Sequence, residues 1–257
     1  AYDEAGTISA GKRLWREVNR PNALIKVPAT REGVKAFETL IAAGINVNVT
    51  LMFSLHHVLQ VAQAYLRGVR ACVERGGNAR RVKAVASVFL SRVDSVVDKQ
   101  LEACGSAEAL ALRGKAAVSM AKVAYQRYKD LFHGLPFAEF KATGVRPQYL
   151  LWASTGTKNP AYSDVLYVEE LVGPETINTM PSATLAAFRD HGKASLTLEQ
   201  GVQDARQCLI ALKDVGVDMH AVGEQLQVEG VQLFEQAFAK LLDKVAETSS
   251  IGVTAVG

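Results

Sequence analysis

One lysine stands inside an apolar run: Ala23-Leu24-Ile25-Lys26-Val27-Pro28-Ala29. Lysine is among the residues least often buried, so its place there needs a physical reason. Read as a β-strand, the run puts Ile25 and Val27 on one face and Leu24, Lys26 and Pro28 on the other. If helices cover the first face, Lys26 points into the interior of a sheet or barrel. Desolvation there lowers its pKa and leaves part of it as a neutral amine. A neutral lysine in a dry site is the usual nucleophile for forming a Schiff base with a carbonyl substrate. The competing reading is a strand-end lysine that reaches solvent along its stem or pairs with a carboxylate.

Three further segments carry polar groups that could serve such a lysine. In Ile45-Asn46-Val47-Asn48-Val49-Thr50-Leu51-Met52-Phe53 the alternation is strict. Val47, Val49 and Leu51 face one way, and Asn46, Asn48 and Thr50 the other. Amide and hydroxyl groups on one strand face are costly to bury without partners, so that face is either wet or a site. A strand over 84–90 puts Val85, Ser87 and Phe89 on one face, with Arg92 and Asp94 just past its end. Arg92 there is a candidate oxyanion clamp, since a guanidinium holds phosphate or carboxylate through two parallel bonds; an Arg–Asp surface pair is the alternative. A fourth strand over 148–155 runs into Ser154-Thr155-Gly156-Thr157-Lys158, a turn with several donors that could bind an anion.

These segments alternate with helical patterns over 3–20, 31–43, 54–75 and 106–132, the last the longest. Strand–helix alternation implies a parallel sheet covered by helices, with chemistry at the C-terminal strand ends. An apolar run follows at 164–171, then a short strand over 176–180, and Pro181 opens a helix. Thr197 and Gln200 form a capping-box pattern before a helix over about 198–213. A closing helix over about 217–246 has a potential break near Gly230, and residues 249–257 read as a frayed tail. His56 or His57 could border a site, whereas the other histidines suit surface or capping roles. The segments over 1–248 read as α/β, of a length that suits one barrel or two smaller domains, with a tail over 249–257.

Among 257 residues, 49% are hydrophobic and 21% charged, as in an ordinary globular protein. A formal net charge of +3 without a polybasic run gives no basis for nucleic acid or an acidic membrane surface as partner. No apolar run approaches the roughly 20 residues of a membrane span. Cys72, Cys104 and Cys208 lack metal or redox spacing and read as reduced thiols, which points to a cytoplasmic protein. No histidine pair has zinc spacing, and no glycine-rich nucleotide fingerprint occurs.

Ile25-Lys26-Val27-Pro28-Ala29-Thr30, Gly44 to Ser54 and Ala86 to Asp94 resemble transaldolase, in the order that family uses. Leu150 to Pro160 and Asn178-Thr179-Met180-Pro181 look like the longer bacterial subgroup. The resemblance covers essentially the whole chain. It implies a (β/α)8 TIM-type barrel that moves a dihydroxyacetone unit from a ketose phosphate to an aldose phosphate. The substrates would be sugar phosphates of the non-oxidative pentose phosphate pathway, with no metal or cofactor. By resemblance, Lys26 matches the Schiff-base lysine, and Asn48 and Thr50 the groups that bond the carbinolamine and the catalytic water. Ser87 matches a further site serine, Arg92 a phosphate-binding arginine and Ser154 a phosphate-binding serine. Lys158 takes the place of a second phosphate-binding arginine.

The chain also departs from the pattern. In the family that lysine lies on the fourth strand, and only a fourth to an eighth strand are identifiable here. The family's Asp and Glu on the first and third strands have no counterpart before Lys26, since Asp3 and Glu4 fall in a helical stretch. The expectation is a fragment beginning after the third strand, with two open sheet edges, apolar surface facing water, and poor activity alone. The alternatives are another Schiff-base barrel aldolase that releases the free ketone, or a catalytically incomplete scaffold.

Overall fold

The computed structural model describes residues 1–253, with side chains described through residue 247. In chain order the elements are α1 (Glu4–Val18), β1 (Ile25–Pro28), α2 (Arg31–Ala42), β2 (Val47–Met52), α3 (Leu55–Glu74), β3 (Ala84–Phe89) and α4 (Ser91–Cys104). Then come α5 (Ala107–Leu110), α6 (Ala116–Phe132), α7 (Ala138–Ala142), β4 (Tyr149–Ala153) and α8 (Leu166–Glu169). The chain closes with β5 (Thr176–Asn178), α9 (Ser182–His191), α10 (Val202–Asp214) and α11 (Met219–Val253).

All strand pairs are parallel, in the order β1-β2-β3-β4-β5. This is the α/β architecture that strand–helix alternation implies, seen here as five strands among the described residues. β1 and β5 each pair on one side only. Register sets Lys26 beside Asn48 and Pro28 beside Thr50. One sheet face is dry: Val27, Val47, Val49, Ala86, Val88 and Trp152 are buried against Phe37, Leu40, Ile41, Val61 and Tyr65 of α2 and α3 and the rest of the core. Burying side chains of this size supplies roughly 1.5–3 kcal/mol each, enough to hold the helices on that face.

Helix starts are capped by short polar residues. Asp3 accepts from the Gly6 N–H, Thr30 from the Gly33 N–H and Ser54 from the His57 N–H, each satisfying a donor that the helix cannot. Asn46, expected on the polar strand face, instead staples the N-terminal strand ends. Its Nδ2 donates to the Pro21 and Ala23 carbonyls, and its Oδ1 accepts from the Lys83 N–H.

Several boundaries differ from the periodicity. The alternation of β2 breaks at Leu51, whose φ is +62°, and the pairing with β3 shifts between Val49 and Met52. A left-handed residue turns the strand end, so Thr50, Leu51 and Met52 are all buried. The stretch 106–132 divides at Gly114, which has φ +70° and lies against Tyr162, leaving α5 and α6. The run at 164–171 is the short helix α8. Thr197 caps nothing: its hydroxyl donates to the Glu169 carbonyl, and α10 starts later, after Gly201.

The final helix is longer than expected. α11 continues through Gly230 without a break and includes residues 249–253 of the expected tail, while 254–257 lie outside the described residues. Its first turns are docked through Val222, Leu226 and Val231. Beyond them Leu233, Phe234, Phe238, Leu241 and Leu242 are each more than half exposed. Among the described residues no helix is long and apolar enough to cross a membrane, and Cys72, Cys104 and Cys208 are free thiols.

Candidate active site

The sheet face opposite the dry one carries the polar groups. Lys26 is exposed on edge strand β1, with its Nζ 5.6 Å from the centroid of the Phe234 ring. The burial expected at this lysine is therefore not found. Among the described residues β1 pairs with β2 alone, and Phe234 of α11 lies over the lysine. Beside it on β2, Asn48 is half-buried and accepts a 2.7 Å hydrogen bond through Oδ1 from the Ser87 hydroxyl of β3. One register step on, the Thr50 hydroxyl is buried and lacks a hydrogen-bond partner. A buried hydroxyl left unpaired costs roughly 1–3 kcal/mol, so Thr50 keeps unused hydrogen-bonding capacity on the strand paired with β1. The other such atom among the described residues is Gln148 Nε2, just before β4 at the opposite end of the sheet.

A second group gathers where β3 and β4 end. Ser154 follows β4 with φ +56°, a conformation that non-glycine residues adopt at a cost. Its carbonyl accepts from the Ser91 N–H at 3.0 Å, and the two hydroxyls lie 2.9 Å apart. Ser91 and Arg92 open the 14-residue helix α4, and the Arg92 guanidinium sits 5.9 Å from the Phe89 ring centroid. Hydroxyls, a guanidinium and a helix N-terminus at one corner suit a phosphate.

The rest of the turn after β4 is engaged otherwise. Thr155 is fully buried and its hydroxyl bonds the Thr179 carbonyl and Asn178 Oδ1, whereas Thr157 donates to the Ser163 carbonyl. Lys158 lines a groove of about 220 Å³ beside α4 with Ser91, Ser95, Lys99 and Tyr162. It meets the Ser154 corner only through Ser91, and the Lys26 surroundings are not part of that groove.

Asp94, two residues after Arg92, is no surface ion-pair partner. It is buried, accepting from the Ala117 N–H at 2.8 Å and from the Tyr167 hydroxyl at 2.7 Å. Burial pushes its carboxyl up to about 6 despite those bonds. His57 is likewise a buried structural group. Its Nδ1 accepts from the Phe53 N–H at 3.2 Å, and its Nε2 donates to Glu224 at 2.8 Å. Burial lowers its pKa, with Glu224 pulling the other way.

A family model described as transaldolase/fructose-6-phosphate aldolase matches residues 1–245. The chain belongs to that family. It is 54% identical over 245 residues to a transaldolase of Thiobacillus denitrificans, covering 95% of this chain and 68% of that relative. Against transaldolases of Mycolicibacterium smegmatis and Neisseria gonorrhoeae the identities are 47% and 44%, covering 95% and 94% of this chain and 66% and 67% of theirs. This transaldolase-family chain thus spans about two thirds of the length of those curated relatives.

Within the family frame, Lys26, Asn48, Thr50 and Ser87 sit on three adjacent strands, and Arg92 and Ser154 on adjacent strand ends, with Lys158 set apart. Sequence reasoning passed over Ser91, although a serine at the first position of a helix after a strand is a recognisable donor. It also passed over Phe234 and Gln227 of α11, which meet β1 and β2 only through tertiary packing and carry no local signal. Among the described residues no cluster of His, Cys, Asp or Glu is arranged to hold a metal ion.

Proposed function

We propose that the chain carries the imine-forming half of a transaldolase site, with Lys26 as the nucleophile. The amine of Lys26 attacks the ketose phosphate carbonyl, and the carbinolamine loses water to give a protonated imine. That imine accepts the electron pair released when the neighbouring carbon–carbon bond breaks. An aldose phosphate leaves, and the resulting enamine adds to the carbonyl of an acceptor aldose phosphate. Asn48, Ser87 and the unpartnered Thr50 hydroxyl bond the carbinolamine oxygen and the departing water. Arg92 and Ser154, with Ser91, hold the substrate phosphate, and Lys158 adds a less directional positive charge.

The observation that carries this reading is the alignment of Lys26 with Asn48, next to a buried hydroxyl with no partner. The acid/base carboxylates are a separate matter. Asp94 is committed to Ala117 and Tyr167, and no acidic side chain shares the strand face of Lys26 among the described residues. We infer that those carboxylates lie on further strands that close the sheet between β1 and β5. The open edges and the exposed apolar residues of α11 support this, because closure would cover both.

Reduction by cyanoborohydride in the presence of fructose 6-phosphate should fix a three-carbon or six-carbon adduct on Lys26, read by peptide mass. Label on another lysine would overturn the assignment. Turnover of fructose 6-phosphate with erythrose 4-phosphate should be weak in this chain, and full turnover would overturn the inference about the carboxylates. In an enzyme with all its strands, release of free dihydroxyacetone without an acceptor would mark it as an aldolase of the same family.

A further inference from the structure

One face of α11 runs across the ends of the two strands that carry Lys26 and Thr50. Gly223, Gln227, Gly230 and Phe234 recur at the spacing that keeps residues on one side of a helix. The two glycines allow the approach. A Cβ on Gly223 would stand 2.6 Å from the Ser54 Cβ, and one on Gly230 would stand 2.9 Å from a Leu51 methyl. Between them the buried amide of Gln227 donates to the Ala29 carbonyl at 2.9 Å and to the Leu51 carbonyl at 3.1 Å. Ala29 follows the Lys26 strand directly. Leu51 follows Thr50 and holds the left-handed backbone that ends the alternation of β2.

The same two strand ends are joined once more, by the Ala29 N–H donating to the Thr50 carbonyl at 2.8 Å. Gln227 therefore completes a bridge between the ends of β1 and β2. It satisfies two buried acceptors that parallel pairing leaves over at the turned end of β2. One turn of α11 earlier, Glu224 is tied to His57, and two turns later Phe234 lies over the Lys26 ammonium.

We propose that Gln227 is a positioning residue for the imine-forming step, setting the placement of Lys26 relative to Thr50 and Asn48 by holding the two strand ends together. The proposal rests on Lys26 being the imine-forming lysine. The amide of Gln227 bonds the Ala29 and Leu51 carbonyls, and we place its action in the backbone at those two positions.

The test is the rate of cyanoborohydride trapping on Lys26 as a function of fructose 6-phosphate concentration and pH. Gln227→Leu keeps volume and removes both donors. It should lower the saturating trapping rate at least tenfold and leave the half-saturating concentration within about twofold, since the phosphate corner is untouched. Gln227→Glu should match the leucine variant at pH 8, where a carboxylate faces two carbonyls. Relative to the parent chain at each pH, it should recover on acidification, as the carboxyl gains a proton to donate. An unchanged saturating rate in both variants overturns the proposal, as does a rise in half-saturating concentration alone. If the leucine variant does not fold, the pH-dependent recovery of the glutamate variant decides. If the parent chain forms no adduct, the lysine assignment falls instead. Hydrogen exchange at the Ala29 amide then decides the bridge: at least tenfold faster in Gln227→Leu supports it, and an unchanged rate overturns it.

Discussion

Two polar clusters, one on α4 and one on the neighbouring strands β2 and β3, are built on opposite terms. Beside α4, both oxygens of Asp94 accept, from the Ala117 N–H and the Tyr167 hydroxyl. Asp98 does the same with the Gly114 N–H and the Tyr162 hydroxyl. On the open sheet face, Asn48 and Ser87 share one bond while the neighbouring Thr50 hydroxyl has none. Both clusters are polar and close to strand ends, so neither polarity nor position tells them apart. The difference is spent against unspent hydrogen-bonding capacity. A satisfied carboxylate ties α4 to α6 and α8, whereas the Thr50 hydroxyl, on the strand paired with that of Lys26, is left without a partner.

The sharpest way to break that contrast is at Lys26. Lys26→Met should cut ketose-dependent trapping to below about a thousandth of the parent rate, because among the described residues no other strand residue is a lysine. Its thermal midpoint should hardly move, since exposed substitutions usually stay within about 0.5 kcal/mol. Retained trapping would remove the open face from consideration as the site.

On the satisfied side, Asp94→Ala leaves the Ala117 N–H and the Tyr167 hydroxyl without an acceptor in a buried setting. Each unmet donor costs roughly 1–3 kcal/mol, so urea unfolding should show a loss of about 3 kcal/mol. Lys26 trapping per folded molecule should be unaltered. A small stability loss with a large trapping loss would reverse the assignment and make Asp94 a working acid.

Thr50 predicts the opposite pattern at smaller scale. Thr50→Val keeps the shape and removes an unpartnered hydroxyl, so the chain should become more stable by up to about 1 kcal/mol. Trapping should slow about tenfold, and Thr50→Ser should restore most of it. If valine destabilises the chain, the hydroxyl is not idle, and the contrast with Asp94 loses its basis.

The parallel α/β sheet was readable from strand–helix alternation, and Lys26 from a charge set within an apolar strand. Asn48, Thr50 and Ser87 were readable as polar positions on alternating strands, although Asn46 shared that pattern and serves only as a staple between strand ends. What escaped the sequence is tertiary in origin. The bulge at Leu51 is held by Gln227, 176 residues away. Open sheet edges were expected, but the exposure of Lys26 on one of them was not: among the described residues β1 pairs with β2 alone. Asp94 looked like an Arg92 partner because its true partners, Ala117 and Tyr167, lie 23 and 73 residues further on. The expected capping box at Thr197 failed because that hydroxyl found the Glu169 carbonyl instead.

The weakest effect expected is a pH slope, and its sign separates two buried groups. Asp94 titrates at about 6 in the folded chain against an ordinary 3.8. The native state therefore holds its proton where the unfolded state has lost it. The stability from this group is complete below about 4 and is lost as pH rises through about 6. His57 is shifted below its ordinary 6.5, mainly by burial. Its contribution is complete above about 6.5 and is lost as pH falls through the lowered value. Between about pH 4 and 6.5 the two oppose each other, and the parent chain should show a shallow profile. Asp94→Asn removes the first term, because an amide can still accept from Ala117 and pair with Tyr167. Its unfolding free energy from urea titration should then fall more steeply on acidification than the parent's, by up to about 1.4 kcal/mol per pH unit. His57→Gln should tilt the profile the other way. Parallel curves for all three chains would mean that neither buried group titrates on unfolding in this range, and the satisfied cluster would lose its electrostatic signature.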